Sequence, residues 1–242
     1  MESIKARGIV AKRREYGESN CMLTLLCKGL GVVSASCYGV KSKKSKLRAA
    51  SQVLTCCDFV LSKKTGDIFR VESAEIVDAF YPICEDIVKL SLANYFCDLA
   101  TDWSQDDDGA VLSLLLNTLY VLAYRDTLPG LIKAVFEIRL AKISGYEPAL
   151  DECIRCGKPG APAVFGISGG IKCASCATAW DMPVSAGLLA ALKYILTAED
   201  GRIFSFEVTN SVQKELEHLA EKYLLEKSGR TYKSLDYYKK IM

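Results

Sequence analysis

Cys153-Ile154-Arg155-Cys156, then sixteen residues, then Cys173-Ala174-Ser175-Cys176: this stretch divides the chain and fixes the chemistry of its middle. Two C-x2-C pairs at that separation read as a four-thiolate zinc site. Each pair sits on a tight turn, and the loop between lets the pairs face each other. Four sulfurs at about 2.3 Å then close a tetrahedron around the ion. Gly157, Gly160, Gly166, Gly169, Gly170, Pro159 and Pro162 crowd the intervening loop, as expected where backbone must turn to let thiolates converge. Two disulfides, or four unrelated thiols, are the other readings of the same residues. A closed set of four sulfurs leaves no coordination position for water or substrate, so the zinc is expected to be structural.

The chain has 242 residues, 50% hydrophobic and 25% charged, an ordinary globular balance with room for two or three small domains. Its net charge of +2 hides an asymmetry. Residues 1–75 carry fourteen Lys and Arg against seven Asp and Glu, while the remainder carries seventeen against twenty-two. A basic front end on a mildly acidic body suggests that the front end meets an anion. No apolar signal segment follows Met1-Glu2-Ser3-Ile4-Lys5, and the most apolar run, residues 111–124, is too short to span a bilayer. A cytoplasmic location with reduced thiols is therefore expected. Cys21, Cys27, Cys37, Cys56, Cys57, Cys84 and Cys97 mostly lie within apolar patterns and read as small core residues.

His218 is the only histidine, and it falls with Lys214, Glu215 and Lys222 on the polar side of a helical pattern. A solvated surface histidine leaves no Ser-His or Cys-His nucleophile arrangement. There is also no P-loop and no G-x-G-x-x-G. The sequence carries no positive sign of an enzyme.

Residues 1–80 read in period two, with strands expected at 4–13, 21–28, 32–40, 53–63 and 68–77. Tyr16-Gly17-Glu18-Ser19, Gly29-Leu30-Gly31 and Lys64-Thr65-Gly66-Asp67 supply turns. Five strands with a helix-prone insert between the third and fourth suit an OB-fold, a Greek-key barrel that often binds oligonucleotides; an SH3-like barrel is the alternative. The insert carries Lys41, Lys43, Lys44, Lys46 and Arg48 with no acid between them. Such a run stays mobile until it meets a polyanion, although a solvated loop is its plainer reading. Lys12, Arg13 and Arg14 end the first strand and could join the same face. Neutralising phosphates there would give affinity without sequence readout. Tyr16 and Tyr38 are candidate stacking platforms, against the commoner fate of strand aromatics as core.

Beyond Tyr81-Pro82 the pattern is helical. One helix opens at Glu85-Asp86, a second spans 110–124, and a third starts after Leu128-Pro129 and ends at Gly145. Asp106-Asp107-Asp108 lacks the EF-hand spacing and reads as a solvated turn. After the cysteine pairs, a helix is expected over 183–196, an extended piece over 203–208, and a long helix capped by Thr209 or Asn210 and stopped by Gly229. The tail beyond Arg230 is basic and aromatic, and its docking is not decided by the sequence. The expected fold is thus α+β: an OB-fold barrel (1–80), a helical domain (81–150 and 177–242), and a zinc knuckle (151–176) inserted in it.

This order resembles the bacterial RecO recombination mediator family, and so do several phrases. They are Gly8-Ile9-Val10 with Tyr16-Gly17-Glu18-Ser19, Gly39-Val40-Lys41 with Lys46-Leu47-Arg48, Arg70-Val71-Glu72-Ser73, Phe136-Glu137-Ile138-Arg139-Leu140 with Gly145-Tyr146-Glu147-Pro148, the cysteine pairs, and Lys233-Ser234-Leu235. Asn20 stands where the family commonly has an acid, and Val53 where Pro often follows Gln. The resemblance implies a non-enzymatic role in recombinational repair, with binding of single- and double-stranded DNA and annealing of complementary strands. Partners implied are RecR, in many bacteria RecF, the acidic tail of single-strand DNA-binding protein, and RecA, at the nucleoid. Lys133 and Arg139 are our candidates for the tail's carboxylate. A nucleic-acid-binding regulator with the same two modules but no annealing activity is the competing reading, and a zinc enzyme a third.

Overall fold

The computed structural model describes residues 3–42, 44–63, 66–104, 109–159 and 164–242. Lys43, the Lys64-Thr65 half of the hairpin signal, the 106–108 turn, and Gly160 and Pro162 of the cysteine loop lie outside them. The chain divides into two compact units, residues 1–124 with 233–242, and residues 125–232.

Five strands open the first unit: β1 (Ser3–Tyr16), β2 (Asn20–Cys27), β3 (Gly31–Cys37), β4 (Cys56–Lys63) and β5 (Ile68–Asp78). They close into a barrel in the order β1-β2-β3-β5-β4, with β3 and β5 parallel and the other pairs antiparallel. Closure removes the free edges a five-stranded sheet would otherwise expose. β1 achieves it by pairing β4 along its first half and β2 along its second, with a bulge between Val10 and Lys12. Val10, Leu23, Leu25, Ala35, Cys57, Phe59, Leu61 and Val71 fill the interior at the expected period of two. Each fully buried Leu or Phe contributes roughly 1.5–3 kcal/mol.

Between β3 and β4 stands α1 (Leu47–Ala50), a single turn that places Ala50 against the barrel core. The fourth strand starts at Cys56, later than the expected residue 53. Leu54 adopts φ +70°, and its N–H donates to Val10 O while Val10 N–H donates to Thr55 O, so the chain is bonded to the β1 bulge before it can extend. Next come α2 (Tyr81–Cys84), α3 (Ile87–Trp103) and α4 (Ala110–Tyr124). Asp86 caps α3, its carboxylate accepting from Val88 N at 2.8 Å and Lys89 N at 3.1 Å.

The second unit contains α5 (Pro129–Ile143), strands β6 (Val164–Gly166), β7 (Gly170–Lys172) and β8 (Met182–Pro183), α6 (Ala186–Thr197) and α7 (Asn210–Ser228). The three short strands form one sheet in the order β7-β6-β8, with β6 and β7 between the cysteine pairs in sequence and β8 after them. Thr209 caps α7 and Gly229, at φ +61°, ends it. Residues 203–208, expected as extended, form no strand: a turn at 203–204 follows the 3-10 turn over Asp200–Arg202, and 205–208 carry no regular element. The last element, α8 (Lys233–Ile241), returns to the first unit and packs on α3. Among the described residues no helix is long and apolar enough to cross a membrane.

Candidate nucleic-acid interface and metal centre

The end of β1, the β1–β2 turn and the segment after β3 meet at one place on the barrel. Gly39 N–H donates to Asn20 Oδ1 at 3.1 Å, and Lys41 N–H to Ser19 O at 3.5 Å. The asparagine thus does positive work as an acceptor for the loop. Lys41 Nζ pairs with Glu15 Oε2 at 2.9 Å, and Arg13 reaches the same carboxylate at 3.6 Å and Gln52 Oε1 at 3.1 Å. The Lys41 hydrogen bond holds the Glu15 carboxyl below its ordinary range. Arg14, Lys44, Lys46 and Arg48 are exposed, and among the described residues none has an ion-pair partner.

Lys12 departs from its neighbours. Its Nζ pairs with Asp98 Oδ1 of α3 at 2.8 Å, whereas Arg13 lies with Glu15 and Gln52. Successive strand residues point to opposite faces, so three adjacent cations cannot share one.

Tyr16 and Tyr38 are both surface residues, 37% and 48% exposed, and not barrel core. Their rings stand edge to face with centroids 6.4 Å apart, and the Arg70 guanidinium lies 5.0 Å from the Tyr38 centroid. Hydrogen bonding to Tyr38 pushes the Tyr16 hydroxyl up to about 12. Arg70 is half-buried and also pairs with Glu72 at 3.5 Å, so one partly neutralised cation lies against two exposed rings that can stack on bases without reading base identity. Sequence reasoning missed Arg70, although the alternation of Phe69 and Val71 already sends it outward. It also missed Glu15 and Asp98, whose partners lie far along the chain.

In the second unit the four cysteine sulfurs all lie within 4.8 Å of one another, so the cluster can hold a metal ion. The Cys156 and Cys173 sulfurs are 3.8 Å apart, far beyond a disulfide bond and matching the roughly 3.8 Å edge of a tetrahedron with metal–sulfur bonds of about 2.3 Å. Each pair sits on a turn: Gly157 N–H donates to Cys153 O at 2.8 Å, and Cys176 N–H to Cys173 O at 3.0 Å. Gly157 takes φ +68°, a left-handed step that glycine makes freely. Hydrogen bonding from the Cys173 backbone, with further help from Arg155 and Cys156, pulls the Cys153 thiol down to about 6. The Ser175 hydroxyl lowers Cys173. Thiolates are the metal-binding form, so these donors favour Cys153 and Cys173 as ligands, whereas hydrogen bonding to Cys156 and Cys173 pushes the Cys176 thiol up to about 12. Of the remaining cysteines, Cys84 is exposed and the other six are buried. His218 is exposed, as its position on α7 suggests.

Lys133 and Arg139, the candidates for a partner's carboxylate, are brought into the interior of their unit. Lys133 Nζ pairs with Glu137 at 3.0 Å and Glu221 at 2.9 Å, and is 4% exposed. Arg139 donates to the carbonyls of Ile195 and Ala198, both at 3.2 Å, closing the C-terminal end of α6, and also pairs with Asp200.

Comparison with known proteins agrees with this geometry. Residues 1–80 match the family model "Recombination protein O N terminal" and residues 84–236 match "Recombination protein O C terminal". The chain is similar to the DNA repair protein RecO of Acetivibrio thermocellus, 34% identical over 247 residues covering 100% of this chain and 98% of that one. The RecO proteins of Caldicellulosiruptor saccharolyticus and Alkaliphilus metalliredigens are each 27% identical over 245 residues, and at least 98% of every chain is covered. With both halves matched in order and the full length shared, the chain belongs to the RecO family of DNA repair and recombination proteins.

Proposed function

We propose that this chain is a recombination mediator. It binds single- and double-stranded DNA on the barrel, anneals complementary strands, and with RecR helps load RecA on DNA coated by single-strand DNA-binding protein; RecF joins where it is present. It acts at the nucleoid by bringing polymers together and makes or breaks no covalent bond. The observation that carries this is the cationic segment over the barrel with exposed Tyr16 and Tyr38, and half-buried Arg70, beside it. Annealing needs two polyanions close together without a fixed register. Dense cations lower that repulsion, and rings that stack on any base impose no sequence.

The knuckle's ion is zinc, by the chemistry of four thiolates, and its role is structural. For the acidic tail of single-strand DNA-binding protein we retain Arg139, although the side chain is buried and reaches outward only through its pair with Asp200. Its partner Asp200 is 79% exposed and can be displaced by an incoming carboxylate, whereas Lys133 is enclosed by Glu137 and Glu221.

The test is fluorescence anisotropy of labelled single strands of several unrelated sequences, across a salt series. Similar affinity for all of them, with log K falling as log salt rises, is expected; each phosphate contact contributes a slope of about −0.7. Tight binding to one sequence and weak binding to the rest would favour a sequence-reading regulator instead.

A further inference from the structure

The C-terminal helix α8 belongs to the barrel's unit although the whole second unit precedes it in sequence. Leu235 and Tyr238 form its buried stripe against α3. The opposite stripe is Lys233, Tyr237 and Lys240, at i, i+4 and i+7, and all three are exposed. Tyr237 is 51% exposed. Asp236 is the only acid on α8, against three lysines. Among the described residues neither Lys233 nor Lys240 has an ion-pair partner.

One carboxylate fixes this helix beside the cationic end of β1. Asp98 accepts from Ser234 Oγ at 2.7 Å and pairs with Lys12 Nζ at 2.8 Å. Lys233 and Lys240 then stand roughly 10 Å apart along the helix axis, the rise of about three nucleotides in a stacked strand. An aromatic ring set between two such cations suits a strand that lays its phosphates on the lysines and one base on the ring.

We propose that Lys233, Tyr237 and Lys240 of α8 form a second contact for single-stranded nucleic acid. It rests on the DNA-binding reading above and adds a contact on the Lys12 side of β1. Two contacts on one unit hold more nucleotides than the barrel loop alone.

The test uses the full chain and a labelled thymidine homopolymer across a salt series. Lys233→Glu with Lys240→Glu is compared with Lys214→Glu with Lys222→Glu, an equal charge change on the exposed side of α7. The α8 pair should bind at least about tenfold more weakly, with a salt slope smaller by about 1.4 for two lost phosphate contacts. Tyr237→Ala should weaken binding about fivefold or more at an unchanged slope. Lys233→Arg with Lys240→Arg should bind as the wild type does. If both α8 variants match the α7 control in affinity and slope, the proposal is overturned while DNA binding by the barrel stands. If the wild type does not bind the homopolymer, the broader reading falls and takes this one with it. Should the charge-reversed helix unfold, acetylation of the wild type decides. Lys233 and Lys240 protected by the oligonucleotide support the contact, and equal labelling with and without it rejects the contact.

Discussion

Tyr16 keeps its proton because hydrogen bonding to Tyr38 favours the neutral phenol and raises its pKa from 10.0 to about 12. A group raised in the folded state stabilises the fold fully below its unfolded pKa and loses that contribution as pH passes the folded one. The Tyr16–Tyr38 contact should therefore persist to about pH 10 and fail near pH 12. Ultraviolet titration of Tyr38→Phe should show one tyrosine ionising at lower pH than in the wild type; an unchanged curve would contradict the pairing. Lys133 makes a different case. Removing it leaves Glu137, fully buried, and Glu221 without their cation. Lys133→Ala should cost about 3–5 kcal/mol in denaturant unfolding. A loss under about 1 kcal/mol would mean that the carboxylates take up protons or water at little cost. Neither environment was legible in the sequence. The helical pattern gives the position of Lys133 on α5 but not the Glu221 that meets it from α7, and nothing near Arg139 announces the carbonyls of α6. Long-range pairing decides whether a cation faces solvent or serves the fold.

At the scale of elements, the period-two and period-3.6 patterns carried most of the reading. The five strands, the insert that becomes α1, and the caps at Asp86, Thr209 and Gly229 follow from local residue chemistry. The start of β4 did not, because Leu54 is fixed by backbone bonds to a β1 bulge that no local pattern records. The fate of the tail was equally hidden: α8 docks on α3, a partner well over one hundred residues earlier. The cysteine knuckle was the most legible element, since ligand type and spacing alone specify it. Its energetics are testable. Cys153→Ser should reduce bound metal below one ion per chain. It should also lower the melting temperature of residues 125–232 by at least about 4 °C, the shift that ~1 kcal/mol produces in a domain of this size. A chelator should reproduce that shift in the wild type. Unchanged melting and metal content would refute a structural ion at these four sulfurs.

On the scale of the whole molecule, charge is segregated along with structure. The barrel and the segment after β3 hold the excess of cations, and the second unit holds the cysteine cluster and the buried Lys133–Glu137–Glu221 network. The unit boundary near Tyr124 groups α3 and α4 with the barrel. Helical periodicity cannot indicate such a grouping, since it reports which face is apolar and not what covers it. In the proposed function, the barrel's cations bring complementary strands together. Its most direct test follows the annealing of two complementary labelled oligonucleotides at several salt concentrations. The wild type is compared with a variant carrying Lys41→Glu, Lys43→Glu, Lys44→Glu and Lys46→Glu. Annealing should be faster than the spontaneous rate, weaken as salt rises, and be absent in the variant. Acceleration that survives both high salt and the four substitutions, or none in the wild type, would contradict that function.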